Sequence, residues 1–194
     1  WVLIRFGLAD IPPVTFAGLR YMLAFLVLLV VWLRRPNRTR LTALTRGDWL
    51  WLLAYGLVFY ALTQGAQFVG LVLLPAITFS LLLNFSAVFV ALLGIPFLSE
   101  IPTRIQWLGI LVFLGGVGLY FWPDLIPAGL ALGLAVGFFA TLSTSVASVM
   151  GRFINRAERL DALTVTVVSM GIGALLLLAA GVAFEPPPRV TPAS

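Results

Sequence analysis

Apolar stretches of about twenty residues follow one another along the chain, and nearly all of its charge falls in the joints between them. They run Pro13 to Leu33, Trp49 to Val69, Pro75 to Phe97, Ile105 to Trp122, Leu125 to Met150 and Leu163 to Phe184. A hydrocarbon core about 30 Å thick is crossed by about 20 helical residues rising about 1.5 Å each. Six such stretches in 194 residues leave no room for a soluble domain. The expected fold class is all-α, a polytopic transmembrane helical bundle whose first helix is truncated. Trp1 to Leu8 reads as the tail of that helix, and the chain as a fragment with residues missing at both ends.

Composition agrees. Hydrophobic residues make up 61% of the chain and charged residues 10%, where a soluble domain carries about 25% charge. The net charge of +5 would point to nucleic acid in a soluble chain, but here the basic residues mark topology, and no nucleic-acid partner is expected. All twelve are arginines. Arg34, Arg35, Arg38, Arg40 and Arg46 share one joint, Arg104 another, and Arg152, Arg156 and Arg159 a third. The alternate joints hold almost no charge: none before Leu74, only Asp124 around Pro123, and Arg189 beside Glu185. The positive-inside rule then makes residues 34–48, 99–105 and 151–162 cytoplasmic loops in the cell membrane. Trp32, Trp49, Trp51, Trp107 and Trp122 flank the spans as interfacial anchors.

The chain has no cysteine and no histidine. Thiolate chemistry, imidazole chemistry and Cys or His metal sites are therefore excluded, and no cofactor or metal is expected. Without lysine, a Ser–Lys nucleophile is excluded too. An enzyme is not the reading.

Local signals place the helix ends. Ile11-Pro12-Pro13 is a turn with proline at a helix start, and Asp48 is the expected N-cap for Trp49 onward. Pro75 follows a very short loop, which makes the flanking helices antiparallel neighbours. Pro96 is expected to bend or end its helix. Gly129, Gly133, Gly137, Thr141 and Ser145 recur every four residues, a small-residue stripe that lets helices pack closely in lipid. Asp10-Ile-Pro-Pro-Val-Thr and Leu160-Asp161-Ala-Leu-Thr-Val-Thr open two spans that are five helices apart. An odd spacing makes them cross in opposite directions, as in inverted-topology repeats of secondary transporters.

Three passages resemble the EamA-type permeases of the drug/metabolite transporter superfamily. They are Ile11-Pro12-Pro13 through Gly18-Leu19-Arg20, the basic loop leading to Gly47-Asp48-Trp49, and Leu98-Ser99-Glu100 followed by Gln106-Trp107-Leu108-Gly109. The last helix ends glycine-rich at Gly115-Gly116-Val117-Gly118, as in that family. The resemblance implies ten helices in two inverted five-helix repeats. Residues 1–122 would form the first repeat, and residues 123–194 two helices and a loop of the second. One departure is Ala87, where family members usually carry a proline in the fourth helix.

Polar groups inside the spans are the candidate substrate contacts, because each costs free energy until it finds a partner. Arg20 lies about seven residues into its helix, roughly 10 Å below the outer surface. It either snorkels to the headgroups or lines an outward cavity and binds an anion. Gln64 and Gln67 share a helix face, and Ser80 precedes Asn84 by one turn. These side chains, with Thr144, either bind a polar substrate or bond one another between helices. Thr141, Ser143, Thr144, Ser145 and Ser148 are expected to bond mostly their own backbone. Glu100 is expected to cap the next helix or to pair with Arg104. No acidic residue lies at mid-depth in these spans, so a proton-coupling carboxylate would lie outside them.

The reading is a secondary transporter of small polar metabolites such as amino acids, exporting by alternating access. The alternatives are a carrier of hydrophobic drugs or lipids and a non-transporting membrane scaffold. The expected partners are the bilayer and a small-molecule substrate, with monomer and homodimer both open. Because the chain has no cysteine, single introduced cysteines report topology cleanly. In sealed cells an impermeant maleimide should label Asp124→Cys, whereas Arg38→Cys should react only after permeabilisation. The reverse pattern would invert the assignment.

Overall fold

The computed structural model describes residues 8, 11–35, 41, 44–120, 122, 130–156 and 160–187, and these form helices without strands. Lipid offers no partner for backbone N–H and C=O groups, so each apolar stretch closes its own hydrogen bonds as a helix. In chain order they are α1 (Pro13–Arg34), α2 (Arg46–Leu73), α3 (Ala76–Leu98), α4 (Arg104–Tyr120), α5 (Ala131–Arg156) and α6 (Ala162–Phe184). Five are long and apolar enough to cross a membrane. The remaining one, α4, is a shorter apolar helix of 17 residues, or about 25 Å. Residues 1–7 of the expected first helix, Asp10 and Gly129 lie outside the described residues.

Several boundaries differ from the sequence reading. The N-cap of α2 is Thr45, not Asp48. Thr45 Oγ1 accepts from Asp48 N–H at 3.3 Å, and the Asp48 carboxylate accepts from Thr45 N–H at 2.9 Å. This reciprocal box satisfies two orphan donors, which starts the helix at Arg46 rather than Trp49. Described helix in α5 begins at Ala131 and continues to Arg156, beyond the expected end at Met150. Residues 151–156 are therefore helical rather than loop, as are Arg34, residues 46–48 and residues 104–105.

The interior is made by α5, α6 and the middle of α2, while α1, α3 and α4 turn much of their surface outward. The α1 and α6 helices run antiparallel and cross tightly at glycines. A Cβ on Gly18 would lie 2.9 Å from Leu178 N, and one on Gly181 would lie 3.1 Å from Thr15 N. Side chains tie both ends of this pair. The Glu185 carboxylate, just past α6, accepts from Val14 N–H at 2.8 Å, Thr15 N–H at 2.7 Å and Thr15 Oγ1 at 2.7 Å. The first turn of α1 has no side-chain cap of its own, so a distant carboxylate caps it and meets the positive end of its dipole. At the other end, Trp32 Nε1 donates to Thr164 Oγ1 at 2.7 Å. Asp161 caps α6, accepting from Thr164 N–H at 3.2 Å.

Two helices are irregular. Gly56–Thr63 in α2 is a π-helix, and Thr63 Oγ1 donates to Val58 O five residues back at 2.7 Å. This wide turn lies against α6, where a Cβ on Gly173 would come within 2.8 Å of Gly56 O and 3.2 Å of Tyr60 Cα. The α3 helix breaks at Phe85, whose N–H reverts to Leu82 O at 3.1 Å. It ends two residues after Pro96, at Leu98.

Glycine substitutions should separate the two kinds of surface. Gly173→Ala forces side chain into backbone and should cost about 1–3 kcal/mol. Gly116→Ala on α4 meets nothing within 4 Å, so helix propensity should leave it neutral or raise stability by up to about 1 kcal/mol. Thermal melting of the two purified variants checks the contrast.

Candidate functional site

The small-residue face of α5 is where three helices meet. A Cβ on Gly133 would stand 3.1 Å from Leu73 O, and one on Gly137 would stand 2.5 Å from Leu82 Cδ2. Thr141 and Ser145 are fully buried. Each hydroxyl bonds its own helix: Thr141 Oγ1 to Gly137 O at 2.8 Å and Ser145 Oγ to Thr141 O at 2.8 Å. Each also reaches α3, to Leu82 O at 3.1 Å and Ser86 O at 3.3 Å. Those two carbonyls bracket the break at Phe85. These bonds to carbonyls beside the break fasten α5 to α3 where the backbone departs from regular helix. The bend lies within two residues of Ala87 although no proline is present there.

Thr144 and Ser148 also bond their own helix, to Ala140 O at 2.7 Å and Thr144 O at 2.8 Å. Gln67 Nε2 donates to Thr144 Oγ1 at 3.2 Å, which brings two of the candidate residues together between α2 and α5. Gln64 is half-buried, one turn before Gln67. No described residue hydrogen-bonds its side chain.

Arg20 stands on the exposed side of α1. Its guanidinium lies 5.5 Å from the Tyr21 ring centre and 6.0 Å from that of Phe68. Such contacts hold a cation against aromatic faces. No carboxylate among the described residues pairs with it. The rings continue inward: Tyr21 meets Tyr60 edge-on at 5.5 Å, Phe59 meets Tyr60 at 4.8 Å, and Tyr55 stacks on Phe59 at 5.4 Å. Sequence reasoning missed this cluster. Tyr55, Phe59 and Tyr60 come together in and beside the π-helix, which apolar periodicity does not reveal.

Asn84 sits elsewhere. It lines a cleft of about 650 Å³ between α3 and α4, with Val88, Ala91, Ile110 and Phe113 on its walls. Its amide is exposed there and has no hydrogen-bond partner among the described residues. Ser80 is half-buried one turn earlier on α3. Arg20, Gln64, Gln67 and Thr144 do not line this cleft.

The mouth of the cleft corrects the expectation for Glu100. Its carboxylate takes Arg152 at 2.6 Å and Arg156 at 3.1 Å, rather than Arg104. The α4 entry is capped by Thr103 and Gln106 instead, with Gln106 Oε1 accepting from Thr103 N–H at 2.7 Å. Ser99 adopts a left-handed conformation, φ 54°, and Glu100 N–H returns to Gly94 O at 3.1 Å. That closing turn brings Glu100 to the end of α5. Arg156 also donates to Leu98 O at 3.0 Å, one of the carbonyls left open at the end of α3.

A double-mutant cycle tests the α2–α5 contact. Gln67→Ala and Thr144→Ala should couple by about 0.6 kcal/mol in stability. Gln64→Ala with Thr144→Ala should show no coupling.

The model of the EamA-like transporter family matches residues 1–122. The uncharacterized transporter YvbV of Bacillus subtilis is 28% identical over 184 residues, covering 93% of this chain and 57% of its own length. The uncharacterized transporter sll0355 of Synechocystis is 30% identical over 188 residues, covering 89% of this chain and 56% of its own length. The chain thus spans little more than half the length of these relatives. No solved structure matches it. With its apolar helices, the chain is a multi-pass membrane protein, and it belongs to the EamA-like transporter family.

Proposed function

We propose that this protein is a secondary transporter that exports small polar metabolites, such as amino acids, across the cytoplasmic membrane. It works by alternating access, with the basic joints on the cytoplasmic side. Residues 1–122 form one repeat, residues 123–194 open the second, and α1 and α6 are equivalent helices of opposite direction.

The observation that carries this reading is Arg20. A cation well inside a span, held only against aromatic rings among the described residues, keeps its charge available to an anion. Gln64, with no partner among the described residues, adds hydrogen-bonding capacity, and so do Gln67, Thr144 and Ser80. Together they suit a carboxylate-bearing polar solute. The two ends of the bundle are tied separately. Glu185 ties the outer end of α1 to α6, and Glu100 ties the cytoplasmic end of α3 to α5. Alternating access needs two closures that can open in turn, one at each surface.

Arg20→Ala should abolish export of labelled amino acids and small metabolites from cells expressing the full-length gene, at unchanged membrane abundance. Export that persists at the wild-type rate would remove Arg20 from the site. A well-expressed wild-type protein that exports nothing polar would favour a hydrophobic cargo or a scaffold.

A further inference from the structure

The α3–α4 cleft has polar groups at its two ends and apolar walls between them. Asn84 is at one end, and Arg152 is part of the mouth while also bound to Glu100. From Asn84 to Gly94, where the chain folds back to present Glu100, α3 rises about 15 Å. The Asn84 amide has no partner among the described residues, and an unpartnered amide beside apolar walls costs free energy that a ligand's hydrogen bond would recover. The arginine end carries two cations, Arg152 and Arg156, against one carboxylate. We infer that this cleft binds a medium-chain amphiphilic carboxylate, with its carboxylate on Arg152, its chain along Val88, Ala91, Ile110 and Phe113, and a polar far end on Asn84.

Such a ligand competes with Glu100 for the same guanidinium. The Arg152–Glu100 pair is well exposed, with side-chain exposures of 57% and 37%, and exposed pairs contribute little, so the exchange is easy. When the ligand takes Arg152, Glu100 keeps Arg156, at 3.1 Å. The tie between α3 and α5 loosens without parting, and occupancy of the cleft is coupled to closure of the cytoplasmic end. The site goes beyond the transport of polar metabolites, because it takes a different ligand on different residues. Binding is measured on purified protein without transport, so a failure here is distinct from a failure of the transporter reading.

The test is equilibrium dialysis of labelled 12-hydroxydodecanoate against the protein in nanodiscs, with empty nanodiscs subtracted. Saturable binding is expected. Arg152→Ala should weaken it about tenfold through loss of a charge-assisted bond. Asn84→Ala should weaken 12-hydroxydodecanoate yet leave dodecanoate, which lacks the far hydroxyl, unchanged. Glu100→Gln frees Arg152 and should tighten binding several-fold, while 1,12-dodecanediol, which lacks the anion, should not respond. Melting temperatures guard against a merely structural effect: Glu100→Gln and Arg152→Ala should change them little while moving affinity in opposite directions. Binding no greater than to empty nanodiscs, or Glu100→Gln leaving affinity unchanged or weakened, would overturn the proposal.

Discussion

Every backbone polar group that a helix end or break releases must find a partner inside the protein, because lipid supplies none. Three helix ends or breaks among the described residues are answered across the bundle. The uncapped start of α1 is closed by Glu185, about 170 residues later. The break in α3 is bracketed by hydroxyls of α5. The last turn of α3 receives Arg156, also from α5. Non-helical detail is thus placed where helices distant in sequence meet. Those contacts hold the bundle in register more specifically than contact between apolar faces can in lipid.

The same constraint explains which parts of the fold were legible in the sequence. Span number and helix order follow from hydropathy, since about twenty apolar residues in a row have few alternatives. Helix starts read less well: Asp48 belongs to a capping box begun by Thr45, and both residues are good caps. The Gly-to-Ser stripe was visible as spacing, but its hydroxyls' second bonds to Leu82 and Ser86 were not. Those carbonyls flank the break of α3 at Phe85, and no proline announces that break.

The candidate site residues divide similarly. Intramembrane polar side chains are conspicuous against an apolar background, so Arg20, Gln64, Gln67, Ser80 and Asn84 were found as types. Their grouping was not legible. Gln67 meets Thr144, Arg20 meets rings, and Asn84 faces a different cleft. The partners of Glu100 lie 52 and 56 residues further on, while Arg104 offered a nearer candidate. Proximity in sequence was the wrong guide. A left-handed Ser99 turns the chain toward α5 instead.

The π-helix in α2 has a bearing on how this sequence can vary. A π segment carries the surplus of residues that a regular α-helix would omit, with i→i+5 bonds in place of i→i+4. Gln64 and Gln67 follow directly after it, so the wide turn lets them keep their face of α2 while the surplus is taken up. Loss of one residue within Gly56–Thr63 would let the segment relax to α geometry with the stretches on either side close to their present azimuth, whereas loss of one residue from regular helix would turn them by about 100° relative to each other. A deletion inside the segment therefore keeps every polar side chain after Thr63 and the face on which Gln67 meets Thr144. For this span, the π segment is the place where a single-residue indel can be absorbed without moving the amides.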